Sequence, residues 1–330
     1  MADTLRRKIL DLLAAQPGAY VSGEAVSKKL GMTRAAVWKQ IQQLRAAGFV
    51  IASKTKQGYR LDSVPLDLDE WVFAGELKTR ELGRAFYIFE QLDSTTLWAK
   101  ESIRQGVRHG LTVMARQQTA GRGRLQRFWH SPRGGLWLTV VICPQLTLAD
   151  AAKLTLCAGV AAVIAVERHC GLRLGIKWPN DLMWEGKKVA GILAEVAGEW
   201  TSLHTLIMSI GINANIPADV FRGELADAVS LQMILGQPQN LNALAAAFLE
   251  CLENELALLE QAGFEPIRQK WLERSVGLGR EVSVWRGNQE FRGRMTGLAA
   301  DGSLLLQVGQ EEVAFVAGEV KMRMETDKKP

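Results

Sequence analysis

The sequence predicts an α+β protein of several domains: an N-terminal winged helix-turn-helix, a central mixed α/β domain and a small C-terminal β-barrel of the SH3-like type. Three observations predict this organisation. The chain has 330 residues, which is enough for two or three domains. Residues 1–62 hold a net charge of +7, against +5 for the whole chain. The last fifty residues alternate as short strands. We expect the domains at residues 1–64, 65–272 and 273–330.

The composition excludes several classes of protein. Hydrophobic residues make up 48% and charged residues 23%, values that are typical of globular domains and not of disordered, collagen-like or coiled-coil chains. No apolar run approaches the roughly 20 residues that span a bilayer, and the first residues contain no signal-peptide core. The four cysteines are scattered, as expected of free thiols in a reducing compartment. The sequence therefore predicts a cytoplasmic protein without a membrane partner.

The N-terminal segment has the spacing of three helices and a β-wing. Apolar residues at helical intervals predict a helix over 5–15. Ser22 and Thr33 are placed to cap the second and third helices, and Gly31 and Gly48 to end them. Two strands joined by a basic turn follow. This arrangement is typical of a winged helix-turn-helix, whose third helix enters the major groove of DNA.

The basic charge of this segment favours a polyanionic partner. A three-helix protein-interaction domain with a solvated basic face is the alternative. If the partner is DNA, the third helix and the wing supply the contacts. The predicted DNA-binding residues are Arg34, Ala35, Trp38, Lys39, Gln42, Lys54 and Lys56.

The central domain begins after an acidic, proline-containing linker at 62–70 and mixes strands with helices. The strands at 111–118 and 136–142 are expected to alternate between buried and exposed residues, and the strand at 206–216 is expected to be buried. Asp93 or Ser94 is expected to cap a helix that starts at Thr95. The predicted strands are 86–92, 111–118, 136–142, 177–184, 187–196 and 206–216, and the other helices are 151–170 and 241–261.

Familiar catalytic motifs are absent from this domain, since it contains no Walker A sequence, no zinc-protease helix and no nucleophile elbow. Three other motifs remain. AGRGR at 120–124 interleaves arginines with glycines and can fold onto phosphates or a carboxylate. KWPND at 177–181 places a lysine in an apolar strand, where it requires an anionic partner. GINAN at 211–215 places amide oxygens at a strand end, where they can serve a hard cation.

Five motifs in this order, between a winged helix and a β-rich tail, resemble the biotin–protein ligase family. The motifs are DST at 93–95, QTAGRGR at 118–124, KWPND at 177–181, KVAGIL at 188–193 and GIN at 211–213. The chain more closely resembles the bifunctional form that also represses biotin synthesis genes. The resemblance covers nearly the whole chain.

The resemblance implies a two-step acyl transfer. Biotin is activated by ATP as biotinyl-5′-AMP, with Mg²⁺ as cofactor, and is then transferred to a lysine of the biotin carboxyl carrier protein of acetyl-CoA carboxylase. It implies operator DNA as a second partner and a homodimer when the adenylate is bound. Arg323 is expected to reach the ATP phosphates.

The resemblance also assigns roles to residues. The implied catalytic residues are Lys177, Arg122 and Arg124. The implied biotin-binding residues are Ser94, Thr95, Thr96, Gln118, Arg122, Gly123, Arg124 and Lys177. The implied ATP- and adenylate-binding residues are Gly121, Trp129, Lys188, Asn213 and Arg323, and Asn213 is also the expected Mg²⁺ ligand.

Two positions depart from the family pattern. Gln126 stands at the glycine in the second half of the usual loop sequence G-R-G-R-x-G-R-x-W, and Thr96 stands where asparagine is common. Three alternatives stay open. The chain can be a biotin ligase whose N-terminal domain does not regulate transcription, a non-catalytic transcription factor that senses a ligand, or a lipoate-type ligase. The last lacks the combination of GRGR and KWPND.

Overall fold

The computed structural model describes residues 2–106, 109–144, 150–196, 205–316 and 318–322. The chain divides into two compact units, Met1–Gly75 and Glu76–Pro330. No helix among the described residues is long and apolar enough to cross a membrane.

The first unit is built from four helices and a two-stranded hairpin. Its elements are α1 (Ala2–Ala14), α2 (Gly23–Leu30), α3 (Arg34–Ala46), β1 (Val50–Lys54), β2 (Gly58–Ser63) and α4 (Glu70–Glu76). Ser22 and Thr33 cap α2 and α3 by accepting from backbone N–H groups, and Gly31 ends α2 in the left-handed conformation, as predicted. Val37, Ile41 and Leu44 of α3 are buried in the core of the unit, together with Phe49 and Ile51.

The wing is held against the helices at Gly58. Val21 pairs with Tyr59 through two backbone hydrogen bonds of 2.8 and 2.9 Å. A Cβ atom on Gly58 would lie 2.0 Å from the carbonyl oxygen of Val21, so only glycine allows this approach.

The segment predicted as a linker is packed on α1. Arg6 forms an ion pair with Asp69, and the indole of Trp71 donates to Asp11 over 2.7 Å. Val72 joins the core of the first unit. The compact unit consequently continues to Gly75.

The second unit contains a seven-stranded mixed sheet in the order β3–β4–β5–β9–β8–β7–β6. Only β3 and β4 pair in parallel, and the other neighbours are antiparallel. The strands are β3 (Phe86–Phe89), β4 (Thr112–Ala115), β5 (Leu136–Ile142), β6 (Gly175–Lys177), β7 (Asp181–Trp184), β8 (Lys187–Val196) and β9 (Leu206–Ile212). The register places Thr139 of β5 beside Ser209 of β9.

Helices cover this sheet. They are α5 (Thr95–Arg104), α6 (Ala151–Cys170), α7 (Leu231–Leu235), α8 (Leu241–Ala262) and α9 (Glu265–Arg274). The sequence predicts α6 and α8 closely because their apolar residues are numerous and regularly spaced. It misses α9, whose buried residues are only Ile267 and Trp271.

Three local predictions were wrong. Every residue of β4 and β5 is buried, because both faces of these strands are covered, so they show no alternation. Ser94 occupies the N-cap position of α5, yet its hydroxyl accepts no cap hydrogen bond. The predicted strand at 86–92 also ends at Phe89.

The second unit ends in an antiparallel sheet of five strands in the order β13–β12–β11–β10–β14. The strands are β10 (Glu281–Arg286), β11 (Gln289–Leu298), β12 (Leu304–Val308), β13 (Glu311–Phe315) and β14 (Glu319–Met322). A turn through Asp301 and Gly302 joins β11 to β12, as predicted. Strands β13 and β14 are the two edges of this sheet, and the described residues show no pairing between them. The C-terminal part is therefore β-rich, and its sheet is open in the described residues.

Candidate active site

A cavity of about 330 Å³ lies in the second unit, between strands β8 and β9, the loop that follows β4, and the turn between β6 and β7. Most residues that the sequence predicts for biotin and ATP line it. These are Thr95, Thr96, Gln118, Arg122, Gly123, Arg124, Trp129, Lys177, Lys188 and Asn213. The fold therefore brings together residues of all five motifs, which are spread over more than 100 residues of the chain.

One side of the cavity is a chain of hydrogen-bonded hydroxyl groups. Thr139 donates to Thr95 over 2.8 Å, and Thr95 donates to the side-chain oxygen of Gln118 over 3.0 Å. Ser209 lies 2.8 Å from the Thr139 hydroxyl and 2.9 Å from that of Thr96. Each hydroxyl has one proton. Since Thr139 uses its proton on Thr95, Ser209 must donate to Thr139, and Thr96 must donate to Ser209.

This direction decides which ligand groups the wall can bind. The hydroxyl protons are all donated within this series of hydrogen bonds. Toward the cavity, the oxygens of Thr95 and Thr96 can therefore only accept hydrogen bonds from a ligand. The amide of Gln118 uses one N–H on Ser131, over 2.9 Å, and has a second N–H to offer. The wall suits a small planar group that has both N–H donors and a carbonyl oxygen, such as a cyclic urea.

The loop at 120–131 forms the cover of the cavity. Residues Arg124 to Arg127 form a tight turn, closed by a hydrogen bond of 3.1 Å from the N–H of Arg127 to the carbonyl oxygen of Arg124, and Leu125 and Gln126 both have left-handed backbone, with φ of 55° and 60°. The side chains of Leu125 and Phe128 are 78% and 63% exposed. Arg124 contacts the oxygens of Asn180 and Gly318 at 3.4 Å, long for hydrogen bonds. The tip of the loop is therefore exposed, while backbone hydrogen bonds from Ala120 to Asp93 and from Trp129 to Gly121 hold its base.

Trp129 lies in a slot that two glycines create. Gly191 of β8 and Gly211 of β9 are opposite each other in the sheet. A Cβ atom on Gly211 would lie 2.5 Å from the indole nitrogen, and one on Gly191 would lie 3.0 Å from the ring. The indole N–H is buried and has no hydrogen-bond partner.

Two lysines of the cavity differ in their surroundings. Lys188 forms an ion pair with Asp181 over 2.6 Å and lies 4.9 Å from the centre of the Trp129 ring. Lys177 is half-buried, and within the described part of the chain no carboxylate pairs with it. Its charge is thus available to an anionic ligand.

Asn213 is buried at the end of β9, where its side chain donates to the carbonyl oxygen of Lys188 over 3.4 Å. The described residues include no group of three or more His, Cys, Asp or Glu side chains placed to hold a metal ion. A cage made of protein ligands is therefore not present in this part of the chain. The amide of Asn213 offers an oxygen that fits a Mg²⁺ ion bound to substrate phosphates, the usual mode of Mg²⁺ binding.

Two predicted residues of the described chain do not line the cavity. Ser94 and Gly121 are adjacent to the cavity without lining it, and the buried hydroxyl of Ser94 has no partner. Arg323 lies outside the described residues. Reasoning from sequence missed Thr139, Ser209 and Asp181. The register of β5 and β9 brings the first two together, and no local motif marks them.

The predicted DNA-binding residues lie on α3 and on the wing of the first unit. Trp38 and Lys39 are exposed on α3, as are Lys54 and Lys56 on the wing. Arg34 pairs with Glu24 over 2.8 Å, so its charge is shared. Gln42 is half-buried, and Ala35 is exposed. The unit presents cations on its third helix and on its wing.

Three segments match known families. Residues 88–213 match the biotin/lipoate A/B protein ligase family, residues 5–60 match an HTH domain, and residues 277–323 match the biotin protein ligase C-terminal domain. The first match contains the cavity motifs, and the second contains α3 and most of the wing.

Full-length relatives and a solved structure agree. The chain is 35% identical to the bifunctional ligase/repressor BirA of Bacillus spizizenii, over 93% of this chain and 95% of the relative. It is 30% identical to that of Escherichia coli, over 97% and 98%. The biotin protein ligase of Aquifex aeolicus, solved with biotin and ATP, superposes with a TM-score of 0.64 at 29% identity and covers 73% of this chain and 99% of its own. The chain therefore belongs to the biotin/lipoate A/B protein ligase family, and it matches nearly the full length of members that are bifunctional ligase/repressors.

Proposed function

We propose that the chain is an ATP-dependent ligase that activates biotin as biotinyl-5′-AMP, transfers it to a lysine of a biotin carboxyl carrier protein, and represses biotin synthesis genes. One observation supports the ligase above all others. A single cavity places a wall suited to a cyclic urea beside lysine and arginine side chains that suit a carboxylate and phosphates.

In the first step, a carboxylate oxygen of biotin attacks the α-phosphorus of ATP. A new P–O bond forms, and the bond to the leaving pyrophosphate breaks. Because an anion approaches a polyanion, the site must supply positive charge and hold both reactants in line. Lys177, with no carboxylate partner in the described chain, supplies that charge, and Arg122 and Arg124 add to it from the loop.

In the second step, the amine of the acceptor lysine attacks the carbonyl carbon of the adenylate. An amide bond forms, AMP leaves with the electron pair of the broken C–O bond, and the amine loses a proton. No nucleophile of the enzyme is required, since both nucleophiles belong to substrates. The loop at 120–131 closes over the adenylate and keeps water from hydrolysing it.

Other groups of the cavity bind and position the substrates. Thr95, Thr96 and Gln118 bind the ureido ring, and Gly123 lets the loop approach the ligand. Trp129 packs beside the adenine, while Lys188 and Asn213 contact the phosphate side of ATP. Asn213 would help to hold a Mg²⁺ ion bound to ATP, and such an ion would neutralise part of the phosphate charge.

The repressor activity uses the first unit. Cations on α3 and on the wing contact operator DNA, and two copies of the chain, joined when the adenylate is bound, match a two-fold operator. Biotinyl-5′-AMP is then the corepressor. Since operator DNA and a carboxylase subunit are both cytoplasmic partners, we place the protein in the cytoplasm.

The C-terminal sheet is a small SH3-like barrel in this proposal. Its five strands are short and antiparallel, and the register of β11 against β12 shifts between Met295 and Gly297, where a strand can bend. Most of this part has a structural role, as a cap on the central sheet, and Arg323 reaches the ATP phosphates.

One experiment tests the ligase directly. Purified protein is mixed with biotin, MgATP and an acceptor domain, and pyrophosphate release is followed together with labelling of the acceptor. We expect both. Biotin binding without pyrophosphate release would instead indicate a ligand-sensing transcription factor.

A second experiment tests the repressor. Operator affinity is measured with and without biotin and MgATP, and we expect tighter binding when both are present. Equal affinity in the two conditions would leave the ligase and remove the regulatory role.

A further inference from the structure

Ser131 connects two parts of the active site without lining the cavity. It is 2% exposed, its hydroxyl accepts from the amide of Gln118 over 2.9 Å, and it donates to the carbonyl oxygen of Trp129 over 2.9 Å. Its own carbonyl oxygen accepts from the backbone N–H of Gln118 over 3.0 Å. One small buried residue thus joins the hydroxyl wall to the loop that covers the cavity.

The direction of the hydrogen bonds is the same on both sides of Ser131. The single hydroxyl proton goes to Trp129, so toward Gln118 the oxygen can only accept. The amide of Gln118 therefore turns its NH₂ group to Ser131 and its oxygen to Thr95, which donates to that oxygen from both its hydroxyl and its backbone. Every hydrogen bond in this series is therefore donated in the same direction, from Thr96 at one end to the carbonyl oxygen of Trp129 at the other.

The junction is also sterically tight. The backbone N–H of Trp129 donates to Gly121 over 2.9 Å. A Cβ atom on Gly121 would lie 2.4 Å from the carbonyl oxygen of Trp129 and 2.5 Å from the Ser131 hydroxyl. Glycine at 121 is therefore what allows these groups to meet.

We propose that Ser131 is a positioning residue that couples the occupancy of the biotin wall to the position of the Trp129 loop. A ligand that holds Gln118 in place also holds Ser131, and through it the backbone that carries the indole. Binding at one end of the cavity then favours binding at the other, by the same factor in both directions. This inference rests on the proposed function, since it takes biotin and ATP as the two ligands.

The test measures the factor by which bound biotin tightens the binding of the nucleotide. The probe is the α,β-methylene analogue of ATP, which cannot release pyrophosphate, and its Kd is determined by calorimetry with and without saturating biotin. In the unmodified protein we expect biotin to tighten the binding of the analogue. In Ser131→Ala we expect the tightening to fall by about tenfold, the loss typical of one buried hydrogen bond, while biotin alone still binds.

A matched control is available in the same unit. Ser102 is also a buried serine whose hydroxyl donates to a backbone carbonyl, that of Trp98 over 3.0 Å, but it lies on α5 away from the cavity. Ser102→Ala loses a similar hydrogen bond and should keep the full coupling. Thermal unfolding of both variants shows whether either loses its fold.

A second comparison separates positioning from a structural role. In a Gln118→Leu background there is no amide for Ser131 to hold, so adding Ser131→Ala should change the coupling no further. An equal additional loss in that background would overturn the proposal, as would unchanged coupling in Ser131→Ala or no coupling in the unmodified protein. Absence of biotin binding or of pyrophosphate release in the unmodified protein would instead contradict the proposed function.

Discussion

The two lysines of the cavity can be distinguished by their partners. Lys188 shares its charge with Asp181, whereas Lys177 has no carboxylate partner in the described part of the chain. We expect Lys177→Ala to slow biotin-dependent pyrophosphate release by at least about 100-fold, since removing a charge that stabilises the transition state acts on the chemical step. Single-turnover kinetics checks this.

The neighbouring surface supplies the control for that prediction. Lys187 is exposed, lies outside the cavity, and precedes Lys188 on the same strand. Lys187→Ala should leave adenylate formation unchanged. Near-normal release in Lys177→Ala would assign the main cationic role to Lys188.

Gln126 is strained in the loop. Its φ of 60° lies in the region that disfavours side chains, at the position where the family commonly has glycine. We expect Gln126→Gly to raise the free energy of unfolding by up to about 1 kcal/mol, because relief of strain exceeds the entropy that glycine adds to the unfolded chain. Chemical denaturation measures the change.

The matched substitution is Gln105→Gly. Gln105 is exposed and has an ordinary φ of −84°, so no strain is relieved there. The free energy of unfolding of this variant should be lower by about 0.5–1 kcal/mol. Equal losses in both variants would show that the loop stores no strain at Gln126.

At the scale of elements, the pairing of β8 with β9 creates the slot for Trp129. In Gly211→Ala the new methyl group would overlap the indole and expel it from the slot. We expect weaker binding of ATP with little change in biotin affinity, because the hydroxyl wall is untouched. Gly297→Ala, on a strand position with open space beside it, is the control. Equal weakening of both ligands would contradict this division of the cavity.

Another element is anchored by a carboxylate. Glu253 of α8 accepts backbone N–H groups of Arg80, Glu81 and Leu82 over 2.7–3.0 Å. Burial alone would raise the pKa of Glu253, but these bonds together outweigh it and lower the pKa below its ordinary value of 4.5. Its contribution to stability is therefore present above the unfolded pKa and is lost as the pH falls through the folded pKa.

The variant Glu253→Gln tests that pH dependence. We expect it to be less stable than the unmodified protein at pH 7, with a difference that shrinks as the pH falls below about 4.5. Unfolding by denaturant across this range checks the trend. A difference that does not change with pH would show that the charge of Glu253 has no part in it.

The sequence predicts those elements that are marked by residues within them, such as capping residues and regularly spaced apolar residues. Ser22, Thr33 and Gly31 mark α2 and α3, and apolar spacing marks α6 and α8. By contrast, the burial of β4 and β5 on both faces depends on helices elsewhere in the chain, so the expected alternation fails. The main loop and lysine motifs of the site are visible in the sequence. The hydroxyl chain is not, because it depends on the register that pairs Thr139 with Ser209.

At the scale of the whole molecule, the two compact units suggest separable activities. The Aquifex aeolicus ligase matches 73% of this chain while covering 99% of its own length. We expect a chain of residues 76–330 to form the adenylate and label the acceptor, and to lose operator binding. Loss of labelling in this truncated chain, with its fold intact by circular dichroism, would show that the first unit takes part in ligation.

The wing provides a second test at this scale. Lys54 and Lys56 are exposed, and a lysine that neutralises a phosphate contributes about 0.9 to the slope of log affinity against log salt. Replacing both by alanine should reduce that slope by about 2. Lys78→Ala and Lys321→Ala, in the second unit, should leave it unchanged. An unaltered slope in the wing variant would exclude these two lysines as phosphate contacts.

Because Trp129 lies in the slot between β8 and β9, the fluorescence of its indole can report whether the loop at 120–131 is closed. In the slot, the indole packs against the backbone of Gly191 and Gly211, and the ammonium group of Lys188 lies 4.9 Å from the centre of its ring. An indole released from the slot would be exposed to water. Fluorescence emission responds to such surroundings. With the other nine tryptophans of the chain replaced by phenylalanine, the remaining emission would report loop closure in real time, with no dye attached.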